Sequence, residues 1–386
     1  MKILYICPTN GMFGDNKAIL NIVPYLEKYG VEPIFYVSVE GTFTDKLKEL
    51  GYFYIYGYDV FCSGMWPRWK TLRDFLGWSR REVMGIYHRE YKRLLKNVEE
   101  LKVDAIHSNL STTTLGYSLA KDLGVPHFWH VREYGSLDHG YHQFPTKRLL
   151  QKKFNAPDTY TIFISEGIRN FYKNPINSNV IYDGPLDTKR PIDLFENKDK
   201  YFLYVGRLEE TKGVHYAIRA FAEISEYNPE YCLKIAGIGS VEYSRYLKKL
   251  ISDLGISNKV LFLGYQRDVY TLMQHAIAII VPSRFEAFGF ITSEALYNGC
   301  PVIGHNTAGT KEQMDKVISL NDSESKIVYP YNTESEISDY MKEAIKNRIS
   351  EHKLRQLSDR VLSIFSAEKS AKQVYKVYQK HLEGKL

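Results

Sequence analysis

Residues 201–213 read Tyr-Phe-Leu-Tyr-Val-Gly-Arg-Leu-Glu-Glu-Thr-Lys-Gly. The apolar run Tyr201–Val205 has the length of a strand, a glycine ends it, and a helical stretch follows the charged loop. The same order recurs downstream. Tyr231–Ala236, Val260–Leu263, Ile277–Val281 and Pro301–His305 are strand-like runs with helical stretches between them. It recurs upstream as well, in Lys2–Cys7, Pro33–Val39, Val103–His107, Val125–Val131 and Thr159–Ser165. Strand–helix alternation predicts an α/β fold, with parallel sheets covered on both faces. Two such sets predict two Rossmann-like, doubly wound domains. Each sheet opens a crevice at the carboxyl ends of its strands. Two facing crevices would make an interdomain cleft, a usual place for a ligand.

The expected boundaries follow from this pattern. Residues 1–183 form the first domain, and 184–200, rich in Asp, Pro, Lys and Asn, a linker. Residues 201–365 form the second domain. Residues 366–386 form a terminal helix, with Val374, Tyr375, Tyr378 and Leu382 as its apolar stripe, expected to pack back towards the first domain. A helix over Asn16–Tyr29 carries Ile19, Ile22, Val23 and Leu26 on one face, and Pro24 is expected to kink it. No repeat of 20–50 residues is visible.

Composition agrees with two soluble domains. The 386 residues are 44% hydrophobic and 25% charged. The cysteines, Cys7, Cys62, Cys232 and Cys300, are scattered and form no CxxC pair, which argues against a disulfide framework or a zinc site. The opening MKILYICPTNG is too short an apolar run for a secretory signal or a membrane span, and no later run is long enough to span. A cytoplasmic location is the expectation. The net charge of +6 suits anionic partners without choosing among nucleotide, nucleic acid and acidic lipid.

Three segments carry candidate chemistry. In Ser283-Arg-Phe-Glu-Ala-Phe-Gly-Phe-Ile-Thr-Ser-Glu-Ala-Leu, Glu286 and Glu294 stand eight positions apart. At 100° per residue they would not share a helix face, so Glu286 is read into the loop before a helix that carries Glu294. Glu286 can then grip sugar hydroxyls while Glu294 reaches a ribose, and the helix start offers free N–H groups to a phosphate. The spacing alone fits a solvated helix charge equally well. In the loop after Val205, Arg207 and Lys212 can clamp a diphosphate, a planar fork beside a point charge. The segment lacks the GxxxxGK[ST] of a Walker motif. Gly237 and Gly239 end another strand, where a ligand can approach the backbone, although such a pair more often marks a tight turn.

Taken in order, GRLxxxKG after a strand, AGxG, E-x7-E with an interposed Phe288-Gly289, and PVIG resemble the retaining GT-B glycosyltransferases of family 4. The similarity covers nearly the whole chain and is strongest from Tyr201 to Glu312. It implies that Glu286 contacts donor sugar hydroxyls near the reacting carbon and Glu294 binds the nucleotide ribose. It implies that Arg207 and Lys212 hold the diphosphate, and that Gly14, after the first strand, lets the donor phosphate approach. Phe13 stands where the family has a further glycine. His130, within Trp129-His-Val-Arg-Glu133, matches a histidine near the reaction centre; without the resemblance it would read as a core histidine. Gly206, Gly237, Gly239, Arg267, Phe288 and Gly289 complete the expected donor site, with base recognition around Gly264–Arg267. Two departures stand out. Ala308-Gly-Thr-Lys-Glu312 replaces the usual GGxPE, and Asp183 replaces the asparagine of an NG turn.

The implied reaction transfers a sugar from a nucleotide-sugar, a co-substrate, to a saccharide acceptor, with retention. Fixed cations facing the leaving diphosphate take a metal's role. No DxD is placed to bind a metal, and no cofactor is expected. The alternatives are a sugar-nucleotide epimerase of the same fold and a catalytically silent nucleotide-sugar-binding subunit. Nucleic acid is not expected as a partner. Residues 66–97 carry nine basic residues against Asp74, Glu82 and Glu90, interleaved with Trp66, Trp69, Phe75, Trp78 and Met84. Such a stretch suits an anionic membrane face, and hence peripheral association and a lipid-linked acceptor in cell-surface polysaccharide or glycoconjugate synthesis. An ordinary helix with aromatics inward and bases in water reads equally well.

Overall fold

The computed structural model describes residues 1–57, 65–67, 86–138, 140–143, 146–187, 192–323 and 325–382. The chain forms two compact units, Met1–Gly184 with Ala367–Leu386, and Pro185–Ser366.

The first unit contains strands β1 (Lys2–Cys7), β2 (Glu32–Val37), β3 (Tyr54–Tyr56), β4 (Met65–Pro67), β5 (Ala105–Ser108), β6 (His127–Val131), β7 (Tyr141–Gln143), β8 (Thr159–Phe163) and β9 (Ser178–Val180). Seven of them make a parallel sheet in the order β3-β2-β1-β5-β6-β8-β9, while β4 and β7 pair antiparallel as a separate ribbon. Side chains alternate along a strand, so a sheet covered on both faces needs apolar residues in consecutive positions. Lys2–Cys7 satisfies this. Ile3, Tyr5 and Cys7 enter a core with Ile19, Ile22, Val23 and Leu26 of helix Gly14–Lys28. Leu4 and Ile6 enter the core on the other face, with Leu94, Val98, Leu115 and Leu119. Helix Gly14–Lys28 is one continuous element through Pro24.

The terminal helix Ala367–Leu382 belongs to this first unit. Its Ala371, Val374, Val377, Tyr378 and Leu382 are buried in the same core as β1. Tyr378 is fully buried in that contact. Its hydroxyl lies 2.6 Å from His107 Nδ1 and 3.3 Å from the Tyr5 hydroxyl.

The second unit contains β10 (Tyr201–Val205), β11 (Cys232–Ala236), β12 (Val260–Gly264), β13 (Ala278–Val281), β14 (Val302–His305) and β15 (Val328–Tyr331). All are parallel, in the order β12-β11-β10-β13-β14-β15. Phe202, Tyr204, Leu233, Ile235 and Ile280 pack on one face with helices Val214–Ser225 and Ser335–Lys346. Leu203, Ile279 and Val302, equally buried, alternate with these residues and serve the other face.

The described residues after Gly184 in the 184–200 stretch pack with the second unit. The division falls at Gly184–Pro185, and the stretch that follows is fastened to the second unit. Leu186 is buried and bridges to Ser366, the Phe195 ring stacks 4.3 Å from that of His275, and the Lys198 ammonium donates to the carbonyls of Gln274 and Gly299 at 2.5 and 3.0 Å. Its polar composition serves these contacts.

The basic, aromatic stretch 66–97 falls largely outside the described residues. Its last part lies on helix Ile86–Leu101, which buries Leu94 and Val98 and exposes Arg89, Lys92, Arg93 and Lys96. Among the described residues no helix is long and apolar enough to cross a membrane.

Candidate active site

In the second sheet the strand order reverses between β10 and β13. A doubly wound sheet opens at its carboxyl edge at such a point. The two loops that leave there carry Arg207 and Lys212 on one side and Glu286 on the other.

The first loop is built by close backbone approach. Gly206 N donates to Ala236 O at 3.0 Å and Leu208 N to Ile238 O at 2.9 Å, zipping it to the loop after β11. A Cβ on Gly237 would lie 1.8 Å from Gly206 O, and one on Gly239 would lie 2.0 Å from Leu208 O. No side chain fits at either position. The room these glycines leave is filled by the neighbouring loop, which is why the chain needs them. The Tyr204 hydroxyl donates to Arg207 O at 2.8 Å and fixes the start of the loop. Burial, then the nearby Glu286 carboxylate, pushes that phenol well above its ordinary range. The loop ends in a 3₁₀ turn, Glu210–Lys212, and Gly213 at φ +69°. A Cβ on Gly213 would meet Pro282 O at 2.7 Å, so the turn lies directly against the end of β13.

That contact places Lys212. Its Nζ lies 2.7 Å from Glu286 Oε1, with about a quarter of the lysine side chain and 15% of the glutamate exposed. Arg207 takes a different carboxylate, Glu209, at 2.8 Å on the exposed surface.

The Glu286 loop is held from behind by helix Ala308–Asp315. Gly309 N donates to Glu286 O at 2.8 Å, and Gln313 Nε2 donates to Phe288 O at 2.5 Å and Gly289 O at 3.1 Å. Thr307 Oγ1 donates to Arg284 O. Gly289, at φ +80°, turns the chain into helix Phe290–Tyr297. Glu286 therefore stands in the loop and Glu294 within the helix, as their spacing predicted. Glu294 Oε1 accepts from the Tyr270 hydroxyl at 3.2 Å. Phe288 is only 2% exposed and packs against Phe290 and Phe365. Arg267 is exposed in the turn after β12.

His130 and Gly14 belong to the first unit. Gly14 opens the helix after β1, and a Cβ there would meet nothing within 4 Å. Phe13 beside it is exposed, with its ring laid over Gly11. His130, the penultimate residue of β6, is fully buried; Nδ1 is 3.1 Å from Arg132 Nη2, and Nε2 has no hydrogen-bond partner. Burial, then the Arg132 charge, holds His130 well below the usual histidine range. Arg132 also pairs with Asp183 and donates from Nε to Asn109 Oδ1 at 3.0 Å. Next to it, Glu133 accepts from Ser111 N and Oγ at 2.6 and 2.8 Å. Burial pushes the Glu133 carboxyl up to about 8. Among the described residues no group of three or more His, Cys, Asp or Glu side chains could hold a metal ion.

Sequence reading had not found Gln313, Tyr270 or the Arg132–Asp183 pair. Gln313 had a usable signal, since it lies one helical turn after Gly309 and so shares its face.

Comparison with known proteins fits this geometry. Residues 187–360 match the family described as glycosyl transferases group 1. An uncharacterized glycosyltransferase of Methanocaldococcus jannaschii is 29% identical over 53% of this chain and 51% of its own length. The poly(glycerol-phosphate) alpha-glucosyltransferase of Bacillus subtilis is 28% identical over 45% of this chain and 27% of its own length. The chain thus spans about half or less of the curated relatives it matches. The crystal structure of Anabaena HepE in complex with UDP superposes with a TM-score of 0.75 at 17% identity, covering 98% of this chain and all of that one. HepE has also been solved with UDP-glucose.

Proposed function

We propose, from the resemblance to group 1 glycosyltransferases and the GT-B fold, that the chain transfers a sugar from a nucleotide-sugar to a saccharide acceptor, with retention and without a metal. The observation that carries this reading is the Lys212–Glu286 pair at the point where the second sheet opens. A part-buried ammonium and carboxylate neutralise each other there. An incoming diphosphate offers the ammonium a stronger partner and releases the carboxylate towards sugar hydroxyls. One exchange thereby readies both groups. HepE, of the same fold, binds UDP and UDP-glucose, which supports a nucleotide-sugar donor.

In the proposed reaction the bond between the sugar's anomeric carbon and the diphosphate oxygen breaks. Negative charge grows on the diphosphate and positive charge on the sugar ring. Lys212 and Arg207 face the first, a preorganised electrostatic device. The acceptor hydroxyl attacks from the face the diphosphate leaves, and a diphosphate oxygen takes its proton. Glu286 orients the sugar and Glu294 the ribose. Gly206, Gly237, Gly239, Arg267, Phe288 and Gly289 build the proposed donor site in the second unit, Gly237 and Gly239 by letting the Arg207 loop close against theirs; His130 and Gly14 are the first unit's candidates.

The test has two stages. Thermal unfolding is followed with UDP-, GDP- and dTDP-sugars, and the donor is the one that raises the midpoint. That donor is then incubated with and without saccharide acceptors. Transfer predicts nucleotide release that depends on acceptor, with an anomeric configuration in the product equal to the donor's. Interconversion of free nucleotide-sugars without release would instead establish an epimerase.

The exposed bases of helix Ile86–Leu101 support a second element of the reading, a lipid-linked acceptor at an anionic membrane surface, where each basic residue contributes roughly 1 kcal/mol. Co-sedimentation with anionic liposomes that weakens with salt, and falls when Lys92 and Arg93 are changed to Glu, is the expected result. Equal recovery of both proteins in the supernatant removes it.

A further inference from the structure

His130 Nδ1 faces the Arg132 guanidinium at 3.1 Å. A guanidinium has donors only, so Nδ1 must be the accepting, unprotonated nitrogen, and a neutral ring then carries its proton on Nε2. The guanidinium itself cannot swing away. Its Nε is bound to Asn109 Oδ1 at 3.0 Å, its Nη1 pairs with Asp183, and all four residues are buried. His130 Nε2 is buried with no hydrogen-bond partner, and a buried donor left unmet is unfavourable. The arrangement leaves one buried N–H donor unpartnered near the carboxyl end of β6.

We propose that Arg132, fixed by Asp183 and Asn109, is a positioning residue that locks His130 as a neutral Nε2–H donor for an uncharged oxygen of the sugar substrate. This rests on the transferase reading of the site. The lock has a chemical purpose there. Positive charge develops on the sugar ring in the proposed reaction, and an imidazolium would oppose it, whereas a neutral N–H supplies a hydrogen bond without charge. A proton on Nδ1 would also have to displace the Arg132 bond.

The surrounding groups agree. The His107 ring on β5 lies 5.3 Å from that of His130, and burial followed by the Arg132 charge disfavours protonation of His107 as well. Behind His107 stands Tyr378 of the terminal helix. Behind Arg132 stand Asp183, Asp15 of helix Gly14–Lys28, and Cys7 of β1. Asp183 neutralises Arg132, which an asparagine at that position could not do. The departure from the family's NG turn and the arginine two residues after His130 therefore belong together.

The experiment is ¹⁵N–¹H long-range correlation NMR on histidine-labelled protein, with His130 assigned by the signal lost in His130→Gln. The wild type is expected to show Nε2 protonated and Nδ1 bare throughout pH 5.5–8. The double variant Arg132→Glu, Asp183→Arg keeps an ion pair but turns an acceptor towards His130, so the proton is expected on Nδ1. A wild-type ring with Nδ1 protonated, or titrating near 6.5, overturns the proposal even if the double variant does not fold. So does a folded double variant whose tautomer is unchanged. No substrate is used, so the outcome is separate from that of the transfer assay.

Discussion

Lys212 Nζ and Glu286 Oε1 lie 2.7 Å apart although 74 residues separate them in the chain. The pair exists because Gly213 lets the Lys212 turn rest on Pro282, four residues before Glu286. Lys212→Ala is expected to lower turnover about 10²–10³-fold, the usual loss for one preorganised donor. Because the two side chains act as a unit, Lys212→Ala with Glu286→Gln is expected to lose far less than the product of the single losses. Strict additivity in the double-mutant cycle would mean that the two groups work independently.

Arg207 offers a contrast, since its pairing with Glu209 is surface-exposed. Such pairs contribute about 0–1 kcal/mol to stability. Arg207→Ala is therefore expected to unfold with the wild type in urea, yet to lose turnover on the scale of Lys212→Ala. Full activity in the purified variant removes Arg207 from the clamp.

If Lys212 and Arg207 carry the charge of the leaving diphosphate, no divalent cation is needed. Turnover is expected to persist in excess EDTA and to gain little from Mg²⁺ or Mn²⁺. Abolition by EDTA with rescue by either ion would contradict this mechanism.

The parts of the fold legible in the sequence were those set by local periodicity. Lys2–Cys7 and Tyr201–Val205 were placed to the residue, because a fully buried parallel strand leaves an unbroken apolar run. Strand β15, Val-Tyr-Pro-Tyr, was not among the strand-like runs read from the sequence; its Pro330 is tolerated because β15 lies at the edge of its sheet. Glu286 and Glu294 were placed by their spacing around a helix start. Their partners were not legible. The ion pairs of Lys212 and Arg132 join residues 74 and 51 positions apart, and only the tertiary fold makes such neighbours. At 184–200 composition showed a polar stretch, but polar content says nothing about which carbonyls Lys198 reaches.

Three buried histidines set the acid limit of the fold. Burial holds His107, His127 and His130 below their ordinary range, His127 at about 3. Their folded-state values are depressed, so the unfolded chain takes up protons that the folded chain refuses. The stability they contribute is present above about pH 6.5 and is lost as pH falls below it. Glu133, raised to about 8 by burial, acts with the opposite sign, since its folded form keeps a proton that the unfolded form releases above its ordinary value of 4.5. For these four groups the net difference is about two protons, so their contribution to stability is expected to fall by up to roughly 2.7 kcal/mol per pH unit between about pH 6.5 and 5. His127→Asn is expected to flatten that slope by about half. Urea unfolding at stepped pH gives both slopes, and a stability independent of pH across this window would show that the histidines are not held neutral.

Two glycines with opposite surroundings separate packing from ligand access. A Cβ on Gly309 would meet Phe288 O at 2.4 Å and Phe288 Cα at 2.6 Å, both backbone atoms that cannot rotate aside. Gly309→Ala must therefore push the Glu286 loop away and break the Gly309 N bond to Glu286 O. It is expected to cost about 1–3 kcal/mol, as overpacking does, and to lower turnover with it. At Gly14 a Cβ meets nothing within 4 Å, and alanine suits a helix better than glycine by up to about 1 kcal/mol. Gly14→Ala is thus expected to be at least as stable as the wild type in urea. If the space beside Gly14 admits the donor phosphate, the same variant must lose much of the thermal protection that the nucleotide-sugar gives. Lost protection in a protein of undiminished stability has no packing explanation, because beyond Gly14's chain neighbours and its own helix backbone the added methyl meets no described atom within 4 Å. Undiminished protection would place Gly14 outside the donor site, and the altered Phe13-Gly14 turn would then be a local feature of the helix start.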